Sequence, residues 1–123
     1  MQLPSDQVQD FLNRYRLGER RFAHLEIDNG NMQGVDLQSA VFENCFLSVD
    51  FRHANLINSK FINCNLKTCD FREANLTNAC IEGSSVEAAR FKDALTDGFL
   101  FCNNHWYSET GNQEEFEKYI QNE

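Results

Sequence analysis

The sequence predicts a solenoid, a fold in which short repeated segments wind into coils that stack on one another. Large apolar residues recur every five positions over most of the chain. Neither the 3.6-residue period of an amphipathic helix nor the two-residue period of a strand produces this spacing. The 123 residues include 11 phenylalanines and 14 asparagines beside 6 glycines and a single proline, a bias that also indicates a repeat. Because one five-residue unit cannot enclose a core, the units must stack.

The first predicted element is a helix over residues 5–17. Val8, Phe11, Leu12 and Tyr15 share one face of it, and Gly18 is placed to end it. An open solenoid end exposes unpaired backbone and apolar side chains. Residues 1–21 are therefore expected to form an N-terminal capping helix.

Residues 22–96 are expected to form the repeat domain. In each unit a small residue precedes the large one by two positions, as in Ala54-Asn-Leu56 and Ala74-Asn-Leu76. The large residues are expected to face inward and form the core. The core positions expected in the middle coils are Phe42, Phe51, Leu56, Phe61, Leu66, Phe71, Leu76, Ile81, Val86 and Phe91.

The period has one irregularity and one apparent end. Leu37 and Phe51 are 14 residues apart instead of 15. Either a bulge absorbs the missing residue, or Phe46 is the inward residue in place of Leu47. The pattern fades after Phe91, because the next unit has Ala94 and then Thr96 where a large apolar residue is expected.

The repeat resembles the A(D/N)LXX pattern of the pentapeptide-repeat family. Cys64-Asn-Leu66 and Cys69-Asp-Phe71 match that pattern together with the two units named above, and the resemblance covers roughly residues 22–94. It implies an all-β solenoid, a right-handed quadrilateral parallel β-helix with about twenty residues per coil. Three to four coils are then expected, with short helices capping both ends.

Residues about twenty positions apart should then stack in columns. The columns expected are Met32–Phe51–Phe71–Phe91, Leu37–Leu56–Leu76, Phe22–Phe42–Phe61–Ile81 and Ile27–Leu47–Leu66–Val86.

Residues 97–123 are expected to form an aromatic C-terminal cap. An aromatic cluster outside the period, residues 99–107, is followed by a polar segment and then by a short helix. Phe116, Tyr119 and Ile120 form an apolar stripe on that helix. The stripe predicts either a lid on the last coil or a dimer contact, as C-terminal segments form in some family members. Both a monomer and a homodimer through this segment remain open.

The net charge of -8 is unevenly distributed along the chain. Residues 1–21 carry +1, residues 22–96 carry -4 and residues 97–123 carry -5. Arg52, Arg72 and Lys92 form a basic ladder on successive coils, with Asp50 and Asp70 two positions before the arginines. The ladder is either a self-compensating surface or a stripe for an acidic partner.

The chemistry-bearing residues predict neither catalysis nor a cofactor. Cys45, Cys64 and Cys69 fall at the small inward position, where a buried thiol replaces alanine. Cys102 and His105 have a ligand-like spacing but supply only two ligands, so no metal site is expected. No phosphate-binding glycine loop or catalytic motif is present in the sequence. A protein that is not an enzyme is expected.

The expected location is the cytoplasm. No apolar run approaches the roughly 20 residues of a membrane-spanning helix. The first ten residues lack the pattern of a secretory signal, and an odd number of cysteines is typical of free thiols.

We expect a non-catalytic protein–protein interaction module, a small bacterial regulatory or immunity-type protein. Its partner is a protein of unknown identity, because the acidic balance disfavours direct binding to nucleic acid. The contact candidates are Arg52, Arg72, Lys92, Trp106 and Tyr107.

The resemblance implies an alternative. Several pentapeptide-repeat proteins bind DNA gyrase as mimics of B-DNA and protect against quinolones or toxins. This sequence departs from them in its short repeat, its basic stripe and the lack of a long loop between repeats.

Overall fold

A computed structural model describes residues 6–106 and 109–123. These residues form two helices and nine strands. The helices are α1 (Asp6–Arg16) and α2 (Gln113–Gln121), and the strands are β1 (Arg21–Ala23), β2 (Glu26–Asn31), β3 (Val41–Glu43), β4 (Phe46–Asp50), β5 (Lys60–Ile62), β6 (Cys80–Glu82), β7 (Leu100–Cys102), β8 (Asn104–Trp106) and β9 (Glu109–Gly111).

The chain winds as a quadrilateral parallel β-helix of about four turns, which confirms the predicted fold class. One side is a parallel sheet in the order β1-β3-β5-β6-β7. The expected columns are present, and their side chains are at most 3% exposed. Like residues stack within a column: the rings of Phe51 and Phe71 lie 5.2 Å apart at 9°, and those of Phe71 and Phe91 lie 5.0 Å apart at 9°.

The coil continues beyond the point where the sequence pattern fades. Phe101, expected to lie outside the period, pairs with Ile81 in parallel register and extends the same column. Residue 96 therefore lies within the last coil. The prediction failed because Thr96 occupies the inward position that a large apolar residue fills on the earlier coils. The polar segment that follows the aromatic cluster contains a strand, β9, which pairs antiparallel with β8.

The irregularity between Leu37 and Phe51 is a β-bulge. Ile27 pairs with Leu47 and Gly30 pairs with Val49, so one residue of β4 lies opposite two of β2. Leu47 is 1% exposed whereas Phe46 is 51% exposed. The alternative in which Phe46 faces inward is wrong.

The corners of the coils have a left-handed backbone two positions after the inward residue, except after Leu47. Asn58 and Asn78 have φ values of 61° and 56°, a region that asparagine tolerates better than most residues. Gly98 occupies the same corner one coil later with φ 69°, and a Cβ there would lie 2.1 Å from Asn78 Oδ1. Glycine therefore follows Asn78 at this corner for a steric reason.

Both ends of the coil stack are covered by helices, as predicted. The ring of Phe11 in α1 lies 4.6 Å from that of Phe22 at the first coil. At the other end, Phe116 of α2 lies 5.1 Å from Phe91 and 4.8 Å from Phe101, and it is 2% exposed. The lid expected from the Phe116 stripe is thus present.

Across the described ranges, neither helix has the length and apolar character needed to span a bilayer.

Candidate functional site

The candidate surface is the outward face of the Met32, Phe51, Phe71 and Phe91 column, which we call the Phe51 side. Arg52 Nη2 donates to Asp50 Oδ2 at 2.8 Å, and its Nε donates to Asp50 Oδ1 at 3.1 Å. The backbone N–H of Arg52 also donates to Asp50 Oδ1 at 3.0 Å. Because the aspartate bonds both ends of the same arginine, the guanidinium is held flat against the coil.

The next coil repeats this arrangement one step along the stack. Arg72 Nη2 donates to Asp70 Oδ2 at 2.7 Å, and Nε donates to Asp70 Oδ1 at 2.9 Å. Arg52 Nε also lies 3.7 Å from Asp70 Oδ2, which links the two coils. Both arginines of the predicted basic ladder are therefore ion-paired.

The neighbouring arginines lower the pKa values of both aspartates. Burial raises the pKa of Asp50, but the hydrogen bonds and charge of Arg52 outweigh it, so the pKa lies below its ordinary value. The pKa of Asp70 is lowered in the same way, with Arg72 outweighing burial. Both carboxylates are consequently ionised at neutral pH and neutralise the arginines.

The third coil breaks the pattern. Arg90 takes the position of Asp70, and Lys92 takes that of the paired arginine. Both are exposed, and within residues 6–106 and 109–123 neither forms an ion pair. At the adjacent corner His53 Nε2 lies 2.8 Å from Glu73 Oε2. The positive charge of this side is therefore concentrated at its C-terminal end.

The predicted aromatic contact residues belong to the cap. The Trp106 ring is half-buried, 5.7 Å from the ring of Phe101 and 5.9 Å from that of Tyr119. A Cβ on Gly111 would lie 2.2 Å from the Trp106 ring, so the ring rests on that glycine. Tyr107 lies outside the described residues. The structure thus brings Arg52, Arg72 and Lys92 to one side but places Trp106 elsewhere.

His105, whose spacing from Cys102 is ligand-like, contacts a threonine. His105 Nδ1 is within 3.1 Å of Thr110 Oγ1, across the β8–β9 hairpin. In the part of the chain that the structure describes, no three His, Cys, Asp or Glu side chains cluster in a way that could hold a metal ion.

A side-chain ladder at one corner was not foreseen. Cys64 N–H donates to Ser84 Oγ at 3.0 Å, and Ser84 N–H donates to Asn104 Oδ1 at 2.9 Å. The Cys45 thiol contacts Phe22 O at 3.4 Å. Polar residues at every twentieth position were the available signal, but Cys45 and Cys64 were interpreted only as small apolar residues.

The Cys69 thiol is chemically quiet. Cys69 is fully buried, its Sγ lies 3.2 Å from Leu47 O, and burial raises the pKa of its thiol to about 12. Since the thiolate is the reactive form, this cysteine is a packing residue.

Comparison with known proteins agrees with this geometry. The family model described as pentapeptide repeats matches residues 50–87, with eight copies of the repeat. Residues 50–87 of this chain are thus pentapeptide repeats. The resemblance drawn from the sequence is confirmed. No match was found among the curated proteins.

Three solved structures show similarity to this chain. QnrB1, a plasmid-mediated fluoroquinolone resistance protein, is 23% identical with a TM-score of 0.59, over 60% of this chain and 39% of QnrB1. A pentapeptide repeat protein from Nostoc PCC 7120 is 26% identical with a TM-score of 0.42, over 82% of this chain and 84% of that one. Another pentapeptide repeat protein, from Cyanothece 51142, is 22% identical with a TM-score of 0.38, over 71% of this chain and 64% of that one. The QnrB1 similarity shows a shared fold, and this chain spans less than half of QnrB1.

Proposed function

We propose that this protein is a non-catalytic protein-binding module that contacts its partner through the Phe51 side. The observation that carries the proposal is the pair of ordered rungs, Asp50 with Arg52 and Asp70 with Arg72, beside the free charges of Arg90 and Lys92.

The physical support is pre-organisation. Binding normally costs conformational entropy for each long side chain that becomes ordered. Arg52 and Arg72 are already held by two or more hydrogen bonds on a rigid coil. These side chains therefore lose little further conformational freedom on contact. A partner with acidic side chains at the C-terminal end would meet Arg90 and Lys92. A small bacterial regulatory or immunity-type protein that blocks one target fits this design.

The experiment compares the reversal of two exposed positive charges on the Phe51 side with the reversal of one exposed positive charge on another side. The tagged wild type, the Arg90→Glu/Lys92→Glu variant and the Lys60→Glu variant are used as baits in lysate of the native cell. Lys60 is an exposed base on a different side of the coil. We expect the double variant to lose a partner that wild type and Lys60→Glu both retain, because a rim charge controls association with an oppositely charged surface.

Two results would contradict the proposal. If wild type captures no protein specifically, the chain is not a binding module under these conditions. If all three baits capture the same partners equally, binding does not use the Phe51 side. Removing residues 97–123 is a poor test, because it would delete β7 and uncover Phe91.

The gyrase-directed DNA mimic is the second candidate, and the fold shared with QnrB1 is what favours it. The charges weigh against it, because the acids of the Phe51 side are neutralised by their own arginines. A gyrase supercoiling assay with and without the protein tests this candidate. Protection of gyrase from a quinolone would support it, and an unchanged assay at micromolar protein would exclude it.

A further inference from the structure

The last coil ends in exposed strand edges, and α2 covers the edge along β7. The N–H of Phe101 donates to Gln113 Oε1 at 3.0 Å, and the N–H of Asn103 donates to Asn112 Oδ1 at 2.8 Å. These side chains occupy the positions that the carbonyls of a further coil would take.

The tail also covers the edge on the Phe51 side. The Glu123 carboxylate accepts from Phe91 N–H at 2.8 and 2.9 Å. The Tyr119 hydroxyl donates to the carbonyl of Ala89. Edge groups on these two sides of the last coil are therefore satisfied by the cap itself.

The side between them, residues 94–98, is left open. One coil earlier, Leu76 N–H donates to Leu95 O and Asn78 N–H donates to Asp97 O, both at 2.8 Å. The equivalent donors on the last coil are the amides of Thr96 and Gly98, and no described residue accepts from either of them. A strand laid on this edge would find two ready donors.

The interior at this edge is only partly covered. Ala94 and Thr96 are half-buried, whereas Ala74 and Leu76, directly beneath them, are 0% exposed. The lid helix attaches at β7 and on the Phe51 side, and this quarter of the core end is less well covered.

The outer surface of the same coil is unusually apolar. Leu95 is 58% exposed and Leu100 is 57% exposed, on the two sides of the corner at Gly98. The residue in the Leu95 position one coil earlier is Asn75. An exposed leucine beside an unpaired edge is a feature that soluble proteins normally avoid.

We propose that residues 94–98 bind an extended, basic segment of a partner protein as an added parallel strand. Asp93 and Asp97 are exposed, and no lysine or arginine occurs between residues 93 and 106. A second copy of this chain would bring the same acids together. Charge complementarity therefore selects a basic segment over self-association.

The register specifies the segment. In the bound segment, the residue beside Leu95 is apolar. The next residue points inward onto Thr96 and is also apolar, and the one after it lies beside Asp97 and is basic. This pattern follows from alternation along a strand. The site is separate from the Phe51 side, so either proposal can fail alone.

The test uses the synthetic peptide Ac-Ser-Lys-Ser-Val-Leu-Lys-Gly-amide and the full chain. Binding is followed by NMR titration and by amide hydrogen exchange. We expect saturable shifts at Thr96 and Gly98, and exchange of these two amides slowed about twofold at half saturation. A control peptide with glutamate in place of both lysines should bind about tenfold more weakly or not at all.

Two variants and a control examine the site on the protein. Leu95→Asn copies Asn75, whose Oδ1 accepts from Thr77 N–H at 3.1 Å, so the fold should be retained while the apolar contact is lost. Asp97→Lys reverses the local charge. Each should weaken peptide binding about tenfold, whereas Asp28→Lys, an exposed acid at the opposite end, should not.

The proposal is overturned if the peptide produces no saturable shifts at residues 94–98, or if Asp97→Lys and Asp28→Lys weaken it equally. It is also overturned if sedimentation shows a dimer of the wild type that Leu95→Asn abolishes while the peptide does not bind, because a second copy is then the occupant. None of these outcomes depends on what the Arg90→Glu/Lys92→Glu bait captures.

Discussion

At the scale of single residues, the small inward position of each unit has two different roles. Where the corner closes with a backbone bond, as from Ala54 N–H to Phe51 O at 3.0 Å, alanine suffices. At the corner after the Phe22–Phe42–Phe61–Ile81 column, the side chain also bonds the coil beneath it, as those of Cys64 and Ser84 do. Ser84 and Ser59 illustrate the difference, because both are 0% exposed but only Ser84 bonds its neighbours.

A pair of serine substitutions tests these roles. Ser59 Oγ is buried without a hydrogen-bond partner in the described part of the chain, between Ala40 and Ala79 of adjacent coils. Ser59→Ala should therefore raise the free energy of unfolding by about 1 kcal/mol. Ser84→Ala should lower it by about 1–3 kcal/mol, because Cys64 N–H loses its acceptor. Urea denaturation measures both, and equal effects of the two changes would contradict the assignment.

At the scale of elements, the two rungs of the Phe51 side join coils by charge, and the lid joins α2 to the core by aromatic packing. Each rung lies within one coil, but the Arg52–Asp70 contact at 3.7 Å reaches the next. The lid instead depends on Phe116, with three phenylalanine rings within 5.1 Å. The contribution of the rungs to stability should therefore depend on pH, and that of the lid on the size of the side chain at Phe116.

The rungs predict a pH-dependent stability difference. Because Arg52 and Arg72 hold the pKa values of Asp50 and Asp70 below their ordinary value, the rungs stabilise the fold above about pH 4 and lose that effect as pH falls through the lowered values. The Arg52→Gln/Arg72→Gln variant should be less stable than wild type at pH 7, and the gap should close toward pH 2. Denaturation between these pH values measures the gap, with Lys60→Gln as a control. A constant gap would show that the arginines act by packing.

Removing the lid contact should be costly. Phe116→Ala is expected to lower the free energy of unfolding by roughly 3–5 kcal/mol, since a buried ring is replaced by a cavity at the end of the core. Glu117→Ala, an exposed change on the same helix, should stay within about 0.5 kcal/mol of wild type. Protection of the β7 amides should fall in Phe116→Ala. Unchanged β7 exchange would mean that the lid does not support the last coil.

At the scale of the whole molecule, stability is the sum of coils stacked between two caps. Partners on the β1-β3-β5-β6-β7 side are 20 residues apart except those of β3 and β5, which are 19 apart. The shorter coil is the one that contains β4, which has one residue fewer than β2 between their paired positions. Since each coil contacts only its neighbours, one coil should be removable if the register is kept.

Deletion of residues 62–81 tests this. It joins Phe61 to Glu82, so Phe61 should stack beneath Phe101 and both caps should stay seated. We expect a folded, shorter protein with a cooperative transition at a lower temperature. Deletion of residues 62–79 displaces every column by two positions and should abolish folding. Circular dichroism and thermal melting compare the two, and equal behaviour would rule out register-dependent stacking.

The sequence by itself determined the period, the inward columns and the two capping helices. These follow from local spacing: a five-residue repeat with one large residue can bury its side chains only by stacking. It also suggested that Asp50 and Asp70 pair with the arginines beside them, because two residues of separation bring these groups together.

The tertiary structure alone decided the rest. Phe101 belongs to the last coil, Leu47 rather than Phe46 faces inward, and Ser84 rather than Ser59 bonds the coil beneath it. The open edge at Thr96 is another example. Each of these depends on which backbone groups lie about twenty residues away, after a bulge has shifted the register and α2 has crossed the end of the stack. No spacing along the chain encodes that coverage, because it arises only when distant segments pack.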